Sequence, residues 1–328
     1  IPSMPLSAGE VRVQIEASLT CGTDLKVWRR GYHARMLAPP SLFGHEFAGV
    51  IREVHPQTPG WKVGDRVVAA NSAPCGQCRA CRRGQEHLCG DLQFLNGAYA
   101  ESIVVPERIV RTNLLRLAPE TAFRDAALVE PLACVVQGLN DLRFQSGERL
   151  LVIGCGPIGL MAATLAQAMG GRATVVGRGA ARLSAARKLG IAEVLEMESH
   201  EDVEWAVKSQ STDLEFDAVF EAVGKPSTWL AAARLVRPGG RVNWFGGCPA
   251  DTTVALDTSL VHYSALTLLA SFHHRPVTVR RALEWIESGA IGAEYLVTAE
   301  APLSGLAEVF QAMDRGGAAA KTLIDVRR

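Results

Sequence analysis

Short apolar runs alternate with helical patterns through the second half of the chain. Runs of strand length occur at residues 149–153, 173–179, 216–224 and 237–247. The first run is followed by the turn "GCGPIG" and a helical pattern from Leu160 to Met169, and the third by a helical pattern through Leu235. Because strands that alternate with helices form parallel sheets, this part of the chain predicts a doubly wound α/β fold.

The stretch from Leu150 to Met169 is apolar over about the length that a bilayer requires. Its glycines and Pro157 would interrupt a continuous helix, so we predict a strand, a turn and a helix instead of a membrane span. We expect a turn at Pro238-Gly239-Gly240 between a helix and a strand. An amphipathic helix is predicted from Val277 to Ser288, and the N-terminal region is predicted to be rich in β-structure.

The chain has 328 residues, of which 48% are hydrophobic, and a formal net charge of zero. This length and apolar content predict two domains with buried cores. Because the sequence has no long basic block or tail, it argues against nucleic acid or an anionic membrane as a partner and favours a small molecule. Eight cysteines are too few for a secreted disulfide scaffold, and no signal peptide precedes them, so we expect a cytoplasmic protein with reduced or metal-bound thiols.

Half of the cysteines lie in one short stretch, "PCGQCRACRRGQEHLC". Their C-x2-C-x2-C-x7-C spacing lets one loop direct four thiolates at a single tetrahedral ion, and four sulfurs leave no open coordination position. The spacing therefore predicts a structural zinc site. An iron-sulfur cluster is the main alternative, and unliganded surface cysteines are the second. The four residues are Cys75, Cys78, Cys81 and Cys89.

A second set of zinc-ligand residue types lies upstream, in "LTCGTDLKVW" and "LFGHEFAG". Cys21, His45 and Glu46 form a mixed set of the kind that binds a catalytic zinc with one position left for water or substrate. Each residue alone is weak support, since a lone His or Cys is more often structural.

The turn "GCGPIG" matches G-x-G-x-x-G in the strand, turn and helix context of a dinucleotide site. Gly154 makes the tight turn, Gly156 admits the pyrophosphate, and Gly159 lets the helix pack on the strand. An NAD site usually has an acidic residue at the end of the next strand, where this chain has Gly177 followed by Arg178, with Arg182 a turn later. We therefore favour NADP over NAD, the alternative being that both arginines are solvated surface residues.

The motifs "CGTD", "GHE", the four-cysteine lobe, "EPLAC" and "GCGPIG" occur in this order. With them the chain resembles the zinc-dependent medium-chain dehydrogenase/reductases over nearly its whole length. Glu46 and Glu130 make it most similar to the polyol and threonine dehydrogenase branch, because simple alcohol dehydrogenases have a cysteine at the position of Glu130.

The resemblance implies a GroES-like, β-rich catalytic domain over residues 1–128, with the zinc lobe at 74–90. A Rossmann domain with a doubly wound parallel sheet would span 129–268, and a segment over 269–328 would return to the catalytic domain. Active site and cofactor would then meet in the cleft between the domains. The resemblance also implies a homodimer or homotetramer. It further implies a shortened N-terminus, without the β-hairpin that usually opens the family.

The resemblance also implies roles for individual residues. Cys21, His45 and either Glu46 or Glu130 would bind the catalytic zinc, and Thr23 would take the substrate proton. Lys26 stands where many relatives have a proton-relay His, so the outer relay would use Lys26, the cofactor ribose or water instead. The structural zinc ligands would be Cys75, Cys78, Cys81 and Cys89, and the cofactor turn would comprise Gly154, Gly156, Pro157, Ile158 and Gly159.

These features predict an enzyme that moves a hydride between the CH–OH group of a polyol or other secondary alcohol and NADP or NAD. A simple alcohol dehydrogenase or an L-threonine 3-dehydrogenase is the alternative within enzymes, and a non-catalytic nucleotide-binding protein the alternative outside them. Trp28, Tyr32 and Phe94 are candidates for the pocket wall. His262, His273 and His274 are weaker ligand candidates, because both zinc sites already have full ligand sets.

Overall fold

The computed structural model describes residues 5–31, 36–37, 40–317 and 320–328. The chain divides into two compact units, the first comprising residues 1–133, 274–289 and 297–328 and the second comprising 134–273 and 290–296. The first boundary between the units, after residue 133, therefore falls inside a helix that begins at Val129. The predicted boundary, after residue 128, lies before that helix. Residues 290–296 belong to the second unit, although their position in the chain placed them in the returning segment.

The secondary structure consists of short strands and helices in both units. The strands are β1 Val11–Leu19, β2 Glu46–Val54, β3 Arg66–Ala69, β4 Ser72–Ala73, β5 Gln93–Phe94, β6 Ser102–Val105, β7 Leu114–Arg116, β8 Arg149–Ile153, β9 Arg172–Gly177, β10 Glu193–Glu196, β11 Phe216–Glu221, β12 Val236–Trp244, β13 Thr267–Leu269, β14 Val297–Pro302 and β15 Lys321–Asp325. The α-helices are α1 Gly22–Arg30, α2 Arg79–Arg82, α3 Glu107–Asn113, α4 Phe123–Ala126, α5 Val129–Asp141, α6 Pro157–Ala168, α7 Ala180–Lys188, α8 Val203–Gln210, α9 Pro226–Leu235, α10 Thr258–Tyr263, α11 Pro276–Glu287, α12 Ala293–Leu296 and α13 Leu306–Asp314. Two 3-10 helices span Glu86–Leu88 and Leu303–Gly305.

The first unit is built on a largely antiparallel sheet. Its strand order is β14-β15-β1-β2-β3-β7, with β6 paired to β1, and among the described strands of this sheet only the β14–β15 pair is parallel. Inward and outward residues alternate along β1, so that Val11, Val13 and Ile15 join the apolar core. Because β15 is the last strand of the chain and pairs with β1, the C-terminal segment is an integral part of this unit.

The second unit is a parallel sheet with the order β10-β9-β8-β11-β12-β13. The chain builds outward from β8 in one direction and then returns to continue from β11 in the other. This reversal makes the β8–β11 boundary a topological switch point, where ligands bind at the carboxyl ends of the strands in open α/β sheets. The predicted doubly wound sheet is therefore present.

Two local predictions need correction. Helix α6 begins at Pro157, three residues before the predicted start, because proline has no N–H to lose in the first helical turn and its fixed φ suits that position. The segment Pro238-Gly239-Gly240 is not a turn before the strand but lies within β12. There the register with β11 is irregular, and Gly239 has a φ of +73° that a glycine adopts without strain. Among the described helices, none combines the length and apolarity needed to cross a membrane.

Substitutions at two glycines of the "GCGPIG" turn should have different effects on stability. A Cβ on Gly159 would lie 1.9 Å from the carbonyl oxygen of Gly154, whereas a Cβ on Gly156 would meet no atom within 4 Å. We expect Gly159→Ala to lower the free energy of unfolding by roughly 1–3 kcal/mol, because the backbone must shift. Gly156→Ala should leave it nearly unchanged and weaken cofactor binding instead. Urea denaturation and NADPH titration test both variants, and equal losses of stability would contradict this explanation.

Candidate active site and zinc centres

The four-cysteine lobe forms a closed thiol cluster in the first unit. Cys78 precedes α2, Cys81 lies within α2, and Cys89 follows the 3-10 helix at 86–88. The Sγ–Sγ distances are 3.5 Å for Cys78–Cys81, 3.8 Å for Cys78–Cys89 and 3.9 Å for Cys75–Cys81. These distances are too long for disulfides.

The same distances fit one zinc ion. Four sulfurs at about 2.3 Å from a tetrahedral zinc are about 3.8 Å apart. Backbone hydrogen bonding lowers the pKa of Cys78 to about 6, while burial raises the pKa of Cys81 to about 12. Burial also raises the pKa of Cys89, so zinc binding at this lobe would release protons from both Cys81 and Cys89.

Cys21, His45 and Glu46 come together where β1 leads into α1 beside β2. Cys21 caps the N-terminus of α1, and its Sγ accepts a hydrogen bond from the backbone N–H of Thr23 at 3.4 Å. Glu46 begins β2 and pairs in register with Leu19 at the end of β1. One ligand atom from each of the three residues lies within 4.8 Å of the others.

Asp24 orients His45. The Nδ1 atom of His45 lies 2.9 Å from Oδ1 of Asp24, and both side chains are buried. Because an ionised carboxylate only accepts, Nδ1 carries a hydrogen, and Nε2 is the nitrogen that would bind a metal in place of a proton.

Lys321 holds Glu46. Its Nζ lies 2.7 Å and 2.5 Å from the two carboxylate oxygens of Glu46, and it also donates to the carbonyl oxygen of Thr20 at 3.0 Å. Glu46 and Lys321 are almost entirely excluded from solvent. Both oxygens of Glu46 are therefore engaged by a partner within the protein.

Glu130 lies in the first turn of α5 and is buried. It is not part of the three-residue cluster, and its Oε1 lies 3.7 Å from Nε2 of His274. His274 is also buried, with Nε2 at 3.2 Å from the side-chain oxygen of Asn71. His274, which the sequence pattern favoured as a structural residue, thus has polar neighbours within the first unit.

Buried negative charge dominates around His45. Burial raises the pKa of Glu130 to about 7 and also raises the pKa of Glu46. Burial lowers the pKa of His45, but the charges of Asp24 and Cys21 outweigh it and raise this pKa well above its ordinary value. Each of these pKa shifts indicates that an added positive charge would be stabilised beside the group concerned. The residues therefore fit a divalent cation in their charge as well as in their ligand types.

The other residues predicted for the active site lie on or near α1. Thr23 is half-buried, Lys26 is exposed, and Trp28 stacks on Phe310 at 6.2 Å between ring centroids. Phe94 is half-buried in β5, and Tyr32 lies outside the described residues.

The "GCGPIG" turn has the shape of a phosphate cradle. Gly154 directly follows β8 and begins the turn with a φ of +111°, and Gly159 packs directly on its carbonyl oxygen. Gly156 faces open space and caps α6, which starts with Pro157 and Ile158. The backbone N–H groups at this helix N-terminus can therefore approach a pyrophosphate closely.

Gly177 at the end of β9 has no room for a side chain. A Cβ there would lie 2.2 Å from the Sγ of Cys155 and 2.9 Å from its backbone nitrogen. An acidic residue at this position is thus excluded by the buried Cys155. Arg178 follows it on the surface, and Arg182 is half-buried in α7.

Further positive charge lies close to Arg178. Burial, together with the charges of Lys225 and Arg178, lowers the pKa of His200, and Glu201 offsets this only in part. Arg178, His200 and Lys225 follow β9, β10 and β11 respectively. The carboxyl edge of this part of the sheet therefore concentrates positive charge.

Comparison with known proteins decides the family. The alcohol dehydrogenase GroES-like domain matches residues 7–113, and the zinc-binding dehydrogenase domain matches residues 157–288. An L-threonine 3-dehydrogenase of Pyrococcus abyssi is 32% identical over 88% of this chain and 83% of its own length. The chain belongs to the zinc-dependent medium-chain dehydrogenase/reductase family.

Other members of the family are similarly close. The sorbitol dehydrogenase of Bacillus subtilis strain 168 is 29% identical to this chain, over 91% of this chain and 84% of the sorbitol dehydrogenase. A zinc-binding dehydrogenase of Sinorhizobium meliloti 1021, solved bound to NADP, has 25% identity and a TM-score of 0.88, covering 98% of this chain and 93% of its own. The predicted GroES-like and Rossmann folds, the oxidoreductase class and the need for zinc and a nicotinamide cofactor are confirmed.

Three residues of the dehydrogenase's site were missed from the sequence. Asp24 stands in the quoted "CGTD" motif, and its spacing from Cys21 on one helix could have indicated it. Lys321 and Tyr99 have no such local signal, because they reach the site from strands or loops distant in the chain.

The thiol lobe yields a prediction about stability. Cys78→Ser should remove one zinc per chain and lower the melting temperature by roughly 5 °C or more, since 1 kcal/mol corresponds to about 2–4 °C in a domain of this size. Cys248→Ser, in the second unit, is the matched control and should keep the full zinc content. Elemental analysis and differential scanning calorimetry measure both effects, and unchanged zinc in Cys78→Ser would refute the assignment.

Proposed function

We propose that the enzyme oxidises the secondary hydroxyl group of a polyol, or of another secondary alcohol, with reduction of a nicotinamide cofactor. The observation that carries this proposal is the buried carboxylate of Glu130. It occupies the position at which simple alcohol dehydrogenases have a cysteine, beside the charges of His45 and Glu46. The similarity to a sorbitol dehydrogenase supports the same substrate class.

Cys21 and His45 are proposed as direct ligands of the catalytic zinc, with Glu46 or Glu130 as the third protein ligand. The ion pair between Lys321 and both oxygens of Glu46 favours Glu130. The four cysteines of the lobe are proposed to hold the structural zinc.

Zinc at the first site would supply Lewis acidity that lowers the pKa of a substrate hydroxyl, and the nicotinamide would supply the hydride acceptor. Thr23, which is half-buried and lies two residues after Cys21, would relay the hydroxyl proton by accepting it while releasing its own hydroxyl hydrogen. Lys26 is exposed and would take up the released proton while giving one of its own to solvent. Asp24 would keep the His45 ring in the orientation and tautomer that ligation requires.

The proposed cofactor site is the "GCGPIG" turn, with Gly154, Gly156, Pro157, Ile158 and Gly159 around the pyrophosphate. We propose NADP as the preferred cofactor. Gly177 cannot be replaced by an acid next to Cys155, and Arg178 and Arg182 would pair with the 2′-phosphate of the adenosine ribose.

Oxidation of L-threonine at its 3-hydroxyl is the second candidate, since it uses the same zinc chemistry and a threonine dehydrogenase is 32% identical. A simple secondary alcohol is the third candidate substrate.

We also propose that the enzyme is cytoplasmic, where its clustered thiols stay available for zinc. We propose further that it forms a homodimer or homotetramer, like its family.

The substrate class is tested by absorbance at 340 nm with purified, zinc-loaded enzyme. NAD and NADP are crossed with a panel of polyols, simple secondary alcohols and L-threonine. We expect reduction of the nicotinamide cofactor with at least one polyol. Cys21→Ser should lose roughly 99% or more of the turnover and should bind one zinc fewer per chain than the wild type. Activity confined to L-threonine would overturn the polyol proposal, and near-normal turnover in Cys21→Ser would overturn the ligand assignment.

Cofactor preference is tested by fluorescence titration with NADPH and NADH. Arg178→Ala should weaken NADPH binding roughly 10-fold or more, since a hydrogen bond to a charged group is worth about 1.5–3 kcal/mol, and should leave NADH binding unchanged. Arg187→Ala removes an exposed arginine from the last turn of α7, the helix that follows Arg178, and serves as the matched control. Equal affinities for both cofactors in the wild type would show that Arg178 is only a surface charge.

A further inference from the structure

The hydroxyl group of Tyr99 completes a buried chain of hydrogen bonds that ends at His45. Tyr99 donates to Oδ2 of Asp24 at 2.7 Å, and the other oxygen of the same carboxylate lies 2.9 Å from Nδ1 of His45. The hydroxyl also lies 3.2 Å from the carbonyl oxygen of Leu19, so its hydrogen is shared, with the shorter contact to Asp24. Each oxygen of Asp24 therefore has one partner, and the two contacts together fix the plane of the carboxylate.

We propose that Tyr99 is a positioning residue for the metal ligand His45 and acts through Asp24. This inference rests on the proposed function, in which His45 binds the catalytic zinc. An imidazole ligand holds a metal best when its second nitrogen has a fixed partner, and that partner is itself held in place. Tyr99 supplies this outer support.

The aromatic ring of Tyr99 has little freedom to move its hydroxyl elsewhere. A Cβ on Gly44, the residue before His45, would lie 2.7 Å from the Tyr99 ring, so the ring lies directly against this backbone. The rings of Phe43 and Phe310 pack around it, with centroids at 5.7 Å and 6.1 Å. The ring is thus confined from several sides, and its hydroxyl is directed at Asp24.

Burial makes the contact matter. Asp24 is 1% exposed and His45 is 3% exposed, so water cannot readily replace a lost hydrogen bond. Without the Tyr99 hydroxyl, one carboxylate oxygen of Asp24 would lose its donor in a solvent-excluded place. The carboxylate would then turn or draw in another donor, and the direction of its bond to His45 would change.

The test compares zinc binding in the wild type and in Tyr99→Phe, which keeps the ring and removes only the hydroxyl. Zinc is titrated away with a chromophoric chelator, so that the two sites are resolved by affinity. Tyr99→Phe should weaken the site of His45 by roughly 3- to 10-fold, as expected for one net hydrogen bond. The four-cysteine lobe of the same molecule is the internal control and should keep its affinity. Cobalt substitution adds a spectroscopic readout, in which the d–d bands of the first site should shift in the variant.

Two variants separate positioning from packing. Phe310→Leu removes a ring contact to Tyr99 but keeps its hydroxyl, and should lower stability without changing the cobalt spectrum. Asp24→Asn should weaken the site by about 10–100-fold, the usual range for a group that orients a metal-binding histidine. In that background Tyr99→Phe should have a clearly smaller effect than in the wild type, because both act through one carboxylate.

Wild-type zinc affinity and cobalt bands in Tyr99→Phe would overturn the inference while leaving the proposed function intact. Equal weakening of both zinc sites in Tyr99→Phe would also overturn it, since that result indicates a general loss of stability. A wild-type enzyme that takes up only the zinc of the four-cysteine lobe would overturn the proposed function itself, and this inference with it.

Discussion

The buried ion pair between Glu46 and Lys321 is the interaction on which the first unit depends. Charges removed from water require a partner, and here the partners come from β2 and from β15, the last strand of the chain. Thr20, which directly follows β1, is joined to Thr322 of β15 by a backbone hydrogen bond at 3.1 Å and a side-chain hydrogen bond at 3.0 Å. The region around Cys21 is therefore complete only when the C-terminal strand has paired with β1.

The same region is short of positive charge. Asp24, Glu46, Glu130 and the thiol of Cys21 surround His45, and Lys321 is the cation that contacts Glu46. A protein interior tolerates this imbalance at a cost, which a divalent ion would relieve. Charge and ligand chemistry thus point to the same occupant. In the proposed function, the ion pair with Lys321 would make Glu46 less available to that ion than Glu130.

In the second unit a packing constraint shapes the proposed cofactor site. The thiol of Cys155, within the glycine-rich turn, occupies the space beside Gly177 that a side chain would need. This contact links the turn that is proposed to bind the pyrophosphate to the strand end that usually carries the ribose-binding residue. Arg178 follows immediately, and its charge and that of Lys225 both act on His200. In the proposed function, the exclusion of an acid and these positive charges favour the same phosphate-bearing ligand.

The sequence by itself determined the features whose residues lie close together in the chain. The cysteine lobe and the "GCGPIG" turn are each contained in one short segment, so spacing alone indicates their geometry. The alternation of strands and helices likewise predicted the parallel sheet, although the start of α6 and the bulge at Gly239 depended on backbone details that a hydrophobic pattern does not report.

Only the tertiary structure decided what surrounds His45. Tyr99 reaches Asp24 across 75 positions, and Lys321 reaches Glu46 across 275, both brought there by strand pairing and packing in the first unit. Local sequence patterns describe neighbours along the chain, whereas the position and charge state of a buried group depend on neighbours in space. For that reason the ligand types at this site could be read from the sequence, but the contacts of Tyr99 with Asp24 and of Lys321 with Glu46 could not.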